Sequence, residues 1–457
     1  MNKKKTVLLI ICLLSSLMLS SATYTEAELR GLLLSNNLKL RSAIDDQELS
    51  LLDVKDAKAG YGPTIDLEIS GTYLANPMDT IEFVLPASVG PSLAGIPLSI
   101  DTGLTNTLYN FSLTLAQPVW TWGKLRNGVA MTEKLVEIRQ RQRFALQKSL
   151  LAELESRLYA HRYLTSMEEL LQLQKDKAEA LVNLAREASD NGMALEEDVL
   201  FAQVSASQIE VARVQVAQQR QKQRLAIGRL CNIDLGERDQ LLWEPDTEQL
   251  RSMLRYDLKT LQAMATGKNQ DQVRIATLMT ELAALSTSIA KGDLYWKPDM
   301  AMQVSLEYGG SKFPFVENDW MDKDDYTFNV SVGMKTTIWD GGKKFHEVRR
   351  SAVKESQAQL DMNQVYQAIQ AQVEEAYHTL HLADANLEYL RLKQRSAEAT
   401  EAQQKLLFES GYGSEADLLK AELALLSVSF EMEQQWLSYT GAFAAINALC
   451  GVENPLL

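Results

Sequence analysis

Two stretches of this chain, "DNGMALEEDVLFAQ" (residues 190–203) and "ESGYGSEADLLKAE" (residues 409–422), share one pattern: Gly-x5-Asp-[Val/Leu]-Leu-x-Ala-[Gln/Glu]. Each reads as a turn between two helices, with glycine where a helix stops and acidic residues where the next one starts. Subtracting Gly192 from Gly411 yields an offset of 219. The same offset carries Asp198 to Asp417, Leu200 to Leu419, Ala202 to Ala421, Trp120 to Trp339, Gly123 to Gly342, Lys124 to Lys343 and Cys231 to Cys450. A single register over more than a hundred residues without an insertion identifies a tandem duplication.

Upstream the register changes. "YGPTIDLEISGTY" (61–73) lies over "WKPDMAMQVSLEY" (296–308) at a shift of 235, so the first half carries 235 − 219 = 16 extra residues. They fall in "LANPMDTIEFVLPASVGPSLAGIPLSIDTG" (74–103), whose prolines and glycines predict a surface loop. Further upstream, "LSNNLKLRSA" (34–43) resembles "LRYDLKTLQA" (254–263) at a shift of 220, so the second half gains 235 − 220 = 15 residues after that point.

Each half contains two segments that alternate strictly. Ile65, Leu67, Ile69 and Tyr73 lie on one face, with Asp66, Glu68, Ser70 and Thr72 on the other. Tyr109, Phe111, Leu113 and Leu115 do the same, as do Met300, Met302, Val304, Leu306 and Tyr308, then Phe328, Val330, Val332 and Met334. These predict four strands of about ten residues, each with one apolar and one polar face. A soluble antiparallel sheet with one buried face would have this pattern. So would membrane strands, and two features favour the membrane: the length, about 9–11 residues, and the aromatics gathered at the strand ends, Tyr61, Trp120, Trp122, Tyr295, Trp296 and Trp339.

The remainder is helical. From Gly123 to Gly192 no proline interrupts the chain, and the roughly 68 residues between predict a rod of about 100 Å. Return helices over residues 193–231 and 25–59 add about 57 and 50 Å, so two shorter helices stack along one long helix, and the second half repeats the arrangement. In the second long helix Val373/Ala376, Leu380/Ala383 and Leu387/Leu390 recur every seven residues, the spacing of a coiled-coil seam. No such plan has a compact core, and four strands cannot close a barrel, so the chain must oligomerise.

Charge and composition exclude other classes. With 60 acidic against 46 basic residues the formal charge is −14, and no basic patch interleaves with aromatics, which argues against nucleic acid as a partner. The N-terminus has Lys3, Lys4 and Lys5, an apolar run from Val7 to Leu19 and small residues up to Ala22, the layout of a secretory signal peptide cut after Ala22. Cys12 lies within the apolar run and leaves with it. No later window of roughly 20 apolar residues offers a membrane helix. Cys231 and Cys450 occupy equivalent positions, where buried free thiols are favoured over a disulfide. No Ser/His/Asp set, P-loop or Cys-x-x-Cys occurs, so no enzyme and no cofactor are expected. His378 and His381 follow Glu374 and Glu375 at helical spacing, but a solvated polar face is favoured over a metal site.

The duplication, "LAQPVWTWGKL" (115–125) and "KTTIWDGGKKF" (335–345) at the strand-to-helix junctions, and the twice-used turn pattern together resemble the TolC-type outer-membrane efflux proteins across the mature chain. The resemblance implies an α+β membrane protein: a homotrimer whose chains contribute four strands each to a 12-stranded barrel, continuous with a long α-helical periplasmic tunnel. It implies a passive exit channel served by an inner-membrane transporter and a periplasmic adaptor protein, in contact with outer-membrane lipid.

The implied division is a signal peptide (1–22), a periplasmic helix (23–62), barrel strands with their extracellular loop (63–122) and a helical hairpin (123–231). The second repeat follows as connector and helix (232–297), strands and loop (298–341), hairpin (342–450) and a tail (451–457). The tips, where adaptor docks, correspond to Gly192, Met193, Gly411, Tyr412 and Gly413. Asp417 corresponds to an aperture carboxylate, with Glu415 beside it. Phe408 stands where relatives have a gating tyrosine, Gly413 where they have its arginine partner, and Lys420 where they have a second carboxylate, so closure is expected to use packing or pairs such as Lys420 with Asp417 or Glu415. The aromatics Tyr61, Trp120, Trp122, Trp296 and Trp339 are expected at the membrane interface. An adhesive coiled-coil protein anchored by a barrel is the alternative, but it has no need of two matching tips. A periplasmic adaptor would show one hairpin rather than two.

Overall fold

The computed structural model describes residues 22–76, 80–84, 97–101, 106–236, 239–310, 313 and 326–451. Residues 1–21 of the expected signal peptide (1–22), residues 314–325 of the expected second extracellular loop and the expected tail beyond 451 lie outside the described residues. The chain forms two compact units. One holds residues up to 47, 138–277 and from 360 onward; the other holds 48–137 and 278–359.

The first unit is helical. It opens with a three-residue strand, β1 (Thr23–Thr25), and helix α1 (Glu26–Asn36). Thr25 and Glu28 form a reciprocal capping box, with Glu28 N–H donating to Thr25 Oγ1 at 3.4 Å and Thr25 N–H donating to Glu28 Oε2 at 2.8 Å. Helix α2 (Leu38–Ala59) follows at once. The single helix expected over 25–59 is therefore two. Asn37 has extended backbone; its Nδ2 donates to Leu230 O at 2.8 Å and its Oδ1 accepts from Leu40 N–H at 3.1 Å, so one side chain ends α1 and caps α2. Its counterpart at 37 + 220 is Asp257, which occupies the N-cap position of a helix in the second repeat. The polar residue in "SNNLK" and "RYDLK" was the signal of both breaks.

The long helices obey the 219 offset at every end. Helix α3 (Lys124–Asp190) and α4 (Glu196–Cys231) have 67 and 36 residues. After a short strand β6 (Gln240–Leu242) come α5 (Thr247–Ser252), one 3₁₀ turn, α6 (Leu258–Ala265) and α7 (Asp271–Gly292). Then α8 (Lys343–Glu409) and α9 (Glu415–Cys450) repeat the lengths 67 and 36. The 15 residues gained by the second half open the break at 266–270 and lengthen the helix after it. The expected seam is buried throughout: Val373, Ala376, Leu380, Ala383, Leu387 and Leu390 all lie in the interior. The first five join Tyr159, Leu250, Tyr439, Phe443 and Ile446 in the main core cluster.

In the second unit β2 (Thr64–Tyr73), β5 (Thr107–Trp120), β7 (Asp299–Gly310) and β8 (Tyr326–Lys335) form one antiparallel sheet in that order. The register brings the apolar positions into rows that cross all four strands: Ile65–Leu115–Val304–Val330, Leu67–Leu113–Leu306–Phe328 and Ile69–Phe111–Tyr308–Tyr326. The polar rows alternate with them, as in Asp66–Thr114–Ser305–Asn329. A bulge between Pro118 and Trp120 absorbs the proline, which has no N–H to donate.

Two details differ from the sequence reading. The 74–103 segment that holds the 16 extra residues is not loop alone: β3 (Thr80–Val84) and β4 (Pro97–Asp101) pair antiparallel within it, and the alternation in "TIEFV" and "PLSID" was the signal. Helix α7 also contains an 18-residue window of mean hydropathy 1.2, just apolar enough for a span. In the folded protein it is a packed helix instead: Val273 and Leu278 are buried, and Glu281 pairs with Lys134 at 2.6 Å, a partner that lipid could not supply.

Candidate functional site

The two helix-to-helix turns match bond for bond. In the first, Gly192 N–H donates to Ser189 O (2.9 Å) and Met193 N–H to Ala188 O (2.7 Å). In the second, Gly411 N–H donates to Phe408 O (3.0 Å) and Tyr412 N–H to Leu407 O (2.9 Å). This is the Schellman pattern twice, and it needs a left-handed residue: Gly192 has φ +71° and Gly411 φ +78°. A β-carbon at either position would be strained by the backbone conformation alone. The C-terminal partners Met193 and Tyr412 stand out in solvent, Tyr412 at 88% exposure.

The extra glycine of the second turn has its own cause. A β-carbon on Gly413 would lie 3.0 Å from Leu407 backbone and Cβ and from Phe408 N. Its counterpart Ala194 carries that carbon, and there the bond back to Ala188 O stretches to 3.2 Å, against 2.9 Å for Gly413 N–H to Leu407 O. Phe408 is half-exposed on the last turn of α8.

Ser414 is the N-cap of α9 and holds Asp417. Asp417 N–H donates to Ser414 Oγ at 3.1 Å, and Ser414 Oγ–H donates to Asp417 Oδ2 at 2.6 Å. In the first repeat Leu195 occupies the cap position, and Asp198 Oδ2 accepts from Leu195 N–H at 3.0 Å. Both helices carry acids in the first turn, Glu196, Glu197 and Asp198 or Glu415 and Asp417, which complement the helix dipole. Lys420 is exposed, and among the described residues it forms no ion pair with Asp417 or Glu415 within one chain.

The sheet presents the second feature. Its edge strand β2 is exposed along its whole length and β8 at every residue after Tyr326, and the apolar members Ile65, Leu67, Ile69, Phe328, Val330, Val332 and Met334 are all more than half exposed. An apolar face of this extent between two unpaired edges is unstable in water.

At the strand-to-helix junctions the aromatics read from the sequence fall into two groups. Trp120 and Trp122 meet edge to face at 6.0 Å, Trp122 and Trp296 at 6.2 Å, and Trp122 Nε1–H donates to Pro298 O at 2.9 Å. Lys297, which sequence reasoning passed over, sets its ammonium 4.5 Å from the Trp296 ring. Tyr295 packs on Phe345 at 5.3 Å and donates to Asp340. Trp339 is three-quarters exposed, and the Tyr61 carbonyl accepts from Gln117 Nε2 at 2.6 Å. Lys124 pairs with Asp299 and, at 3.0 Å, with Asp293, which also faces Lys344 at 3.6 Å. Burial opposes the charge on Lys124, but the bonds to Asp299 and Asp293 outweigh it and hold its pKa above the usual lysine value.

Cys231 and Cys450 are both free and buried. Their thiols donate to Leu29 O at 3.5 Å and Leu261 O at 3.4 Å, and burial pushes both up to about 11, which leaves them unreactive. His378 lies 4.0 Å from Glu374 and His381 packs on Tyr377; among the described residues no group of three His, Cys, Asp or Glu side chains could hold a metal ion.

Three solved structures share this architecture. The Campylobacter jejuni CmeC outer membrane channel matches over 93% of this chain and 85% of its own, with TM-score 0.74 and 14% identity. The Vibrio cholerae outer membrane protein VceC matches over 93% and 96%, with TM-score 0.71 and 15% identity. The open state of the Neisseria gonorrhoeae MtrE outer membrane channel matches over 93% and 88%, with TM-score 0.72 and 14% identity. At these identities the likeness establishes the fold. No curated protein matches the chain. The family model described as outer membrane efflux protein matches residues 29–232 and 295–452, both repeats and most of the sequence. With its duplicated hairpins and its lipid-type strand face, this chain belongs to the outer membrane efflux protein family, a family of efflux channels located in the outer membrane.

Proposed function

We propose that three copies of the chain close a 12-stranded barrel, β8 of each pairing with β2 of the next, and that this trimer is the exit duct of a tripartite efflux or type I secretion system. The observation that carries the reading is the four-stranded sheet with an exposed apolar face and two open edges. Lipid requires every backbone N–H and C=O to be paired, and barrel closure by further copies satisfies both edges at once. The polar rows then line the lumen.

In this reading the turns at Gly192, Met193, Gly411, Tyr412 and Gly413 form the periplasmic tips that receive an adaptor protein, behind which stands an inner-membrane transporter. The exposed Met193 and Tyr412 are suited to packing against a partner. Three copies of Asp417 and Glu415 make an acidic ring at the aperture, which favours cations, and Phe408 and Lys420 of neighbouring copies are the groups available to narrow it. Tyr61, Trp120, Trp122, Trp296 and Trp339 sit at the membrane interface. The channel is a passive conduit, and selection of cargo rests with the transporter.

Cysteine pairs test the closure. A cysteine at Asp66, Glu68 or Ser70 on β2 combined with one at Asn329 on β8 is expected, in at least one combination, to cross-link under oxidation into a ladder that ends at three chains. Monomers in every combination, with outer-membrane insertion intact, would sink the barrel. Loss of toxin resistance on deletion of the gene, with resistance restored by the intact protein, tests the efflux assembly.

A further inference from the structure

The first strand-to-helix junction holds a bulky residue where the second has glycine. Trp122 is left-handed at φ +52°, and its counterpart at 122 + 219 is Gly341, left-handed at φ +74°. Glycine adopts this conformation freely, whereas tryptophan is strained in it, so the ring is kept against the preference of its own backbone. Its contacts offset the strain. The ring meets Trp120 at 6.0 Å and Trp296 at 6.2 Å, and Nε1–H donates to Pro298 O at 2.9 Å. Trp120 in turn pairs with Met300 after the bulge, and Met300 with Met334, so this wall of exposed indoles continues the apolar face of the sheet.

Lys297 completes the group. Its backbone N–H donates to Leu294 O at 2.9 Å in the turn before β7, and its ammonium lies 4.5 Å from the Trp296 ring and 6.0 Å from that of Trp122. One of the three ammonium protons is directed to Lys291 O at 3.2 Å. The neighbouring carboxylates are engaged elsewhere, Asp299 with Lys124, and Asp293 with Lys124 and Lys344. Among the described residues no carboxylate forms an ion pair with Lys297.

We propose that Trp120, Trp122, Trp296 and Lys297 bind the headgroup of an anionic phospholipid, the Lys297 ammonium meeting its phosphate and the indoles covering the glycerol and the first acyl carbons. The proposal rests on the barrel reading, in which this end of the sheet reaches the lipid–water interface. A cation fixed on an aromatic wall beside an apolar face fits an amphiphile: the phosphate supplies the anion that no side chain does, and the rings lie at the depth that indoles favour. A zwitterionic lipid brings its own ammonium to the same phosphate, so the site favours a lipid of net negative charge.

The test uses the full protein reconstituted into phosphatidylcholine vesicles that contain a minor fraction of either phosphatidylglycerol or phosphatidylcholine brominated on its acyl chains, with quenching of tryptophan fluorescence as the readout. At equal mole fraction the brominated phosphatidylglycerol is expected to occupy the site several-fold more than the brominated phosphatidylcholine. Lys297→Gln is expected to remove that preference and Lys297→Arg to keep it. Trp122→Gly, which copies the second repeat and relieves the strained backbone, is expected to fall to the level of Lys297→Gln. Equal quenching by the two lipids in the native protein, or a native preference persisting in Lys297→Gln or Trp122→Gly, would overturn the site while leaving the barrel standing. A preference abolished by inorganic phosphate but not by chloride of equal ionic strength would assign the cluster to free phosphate and overturn the lipid. Absence of quenching by either brominated lipid would overturn the barrel reading itself.

Discussion

The ends of the two return helices occupy equivalent places and are built in opposite ways. In α9, Phe443 is fully buried against Tyr159 at 6.5 Å and Tyr439 donates to Leu250 O at 3.1 Å. At 443 − 219 = 224 and 439 − 219 = 220, helix α4 carries Arg224 and Arg220 instead. Arg224 is nearly as buried, but its guanidinium is spent on the carbonyls of Gly236 and Asp239, and Arg220 pairs with Glu168 at 2.7 Å. The same contrast recurs on the long helices: His161 on α3 corresponds to the buried seam residue Leu380 on α8. The backbones are copies, down to left-handed caps at Asn232 and Gly451. The difference shows that one scaffold serves two tasks: the first repeat uses polar side chains to anchor the loop that carries the chain onward, and the second fills the same positions with core.

The largest effect that would break this comparison is expected at Phe443. Phe443→Ala should lower the stability of the extracted protein by about 3–5 kcal/mol, whereas Arg224→Met should cost about 1–3 kcal/mol by leaving loop carbonyls unpaired. Urea midpoints of the two variants at fixed protein concentration decide it. A larger loss at Arg224 would mean that the loop, not the core, dominates this end of the bundle.

His161 sharpens the comparison through pH. Burial, with Arg220 and Arg224 nearby, lowers its pKa to about 4 from the ordinary 6.5. The folded protein therefore holds it neutral while the unfolded chain takes up a proton near pH 6.5. Its contribution is complete above about pH 6.5 and is lost as the pH falls towards 4, by up to about 3 kcal/mol. His161→Leu, which copies the second repeat, should flatten the fall in unfolding midpoint between those pH values. An unchanged acid slope would assign it to other groups.

The smallest effects lie at the turns. Gly192→Ala and Gly411→Ala should each cost about 1 kcal/mol, and nearly the same, because both residues must be left-handed. Gly413→Ala should cost less than about 1 kcal/mol, because the first turn already accommodates Ala194 by a slightly longer hydrogen bond. A large loss at Gly413 in the assembled protein, with a small one in the isolated chain, would locate a close neighbour at that residue.

Much of this architecture was legible in the sequence. The strands were visible in Ile65-x-Leu67-x-Ile69, and the seam in Leu380-x6-Leu387, because alternation and heptad spacing are properties of neighbouring residues. The division at Asn37 was missed because a cap is one residue long and its partner, Leu230, lies 193 residues away. At the two helix-to-helix turns, Gly192 and Gly411 were legible as helix stops, while the engagement of Asp417 by Ser414 needed coordinates to be seen.

The duplication, the 219-residue register, the long helices and the four sheet strands with their apolar faces are periodic along the chain, and for that reason they are readable from it without coordinates. Folding in three dimensions settled which apolar residues stay exposed, that Cys231 and Cys450 are free and buried, how Arg224 and Phe443 divide equivalent positions, and that Asp239 meets Ala22 across 217 residues. Those outcomes depend on which distant groups are brought within about 3 Å, a distance set by packing that no local pattern encodes.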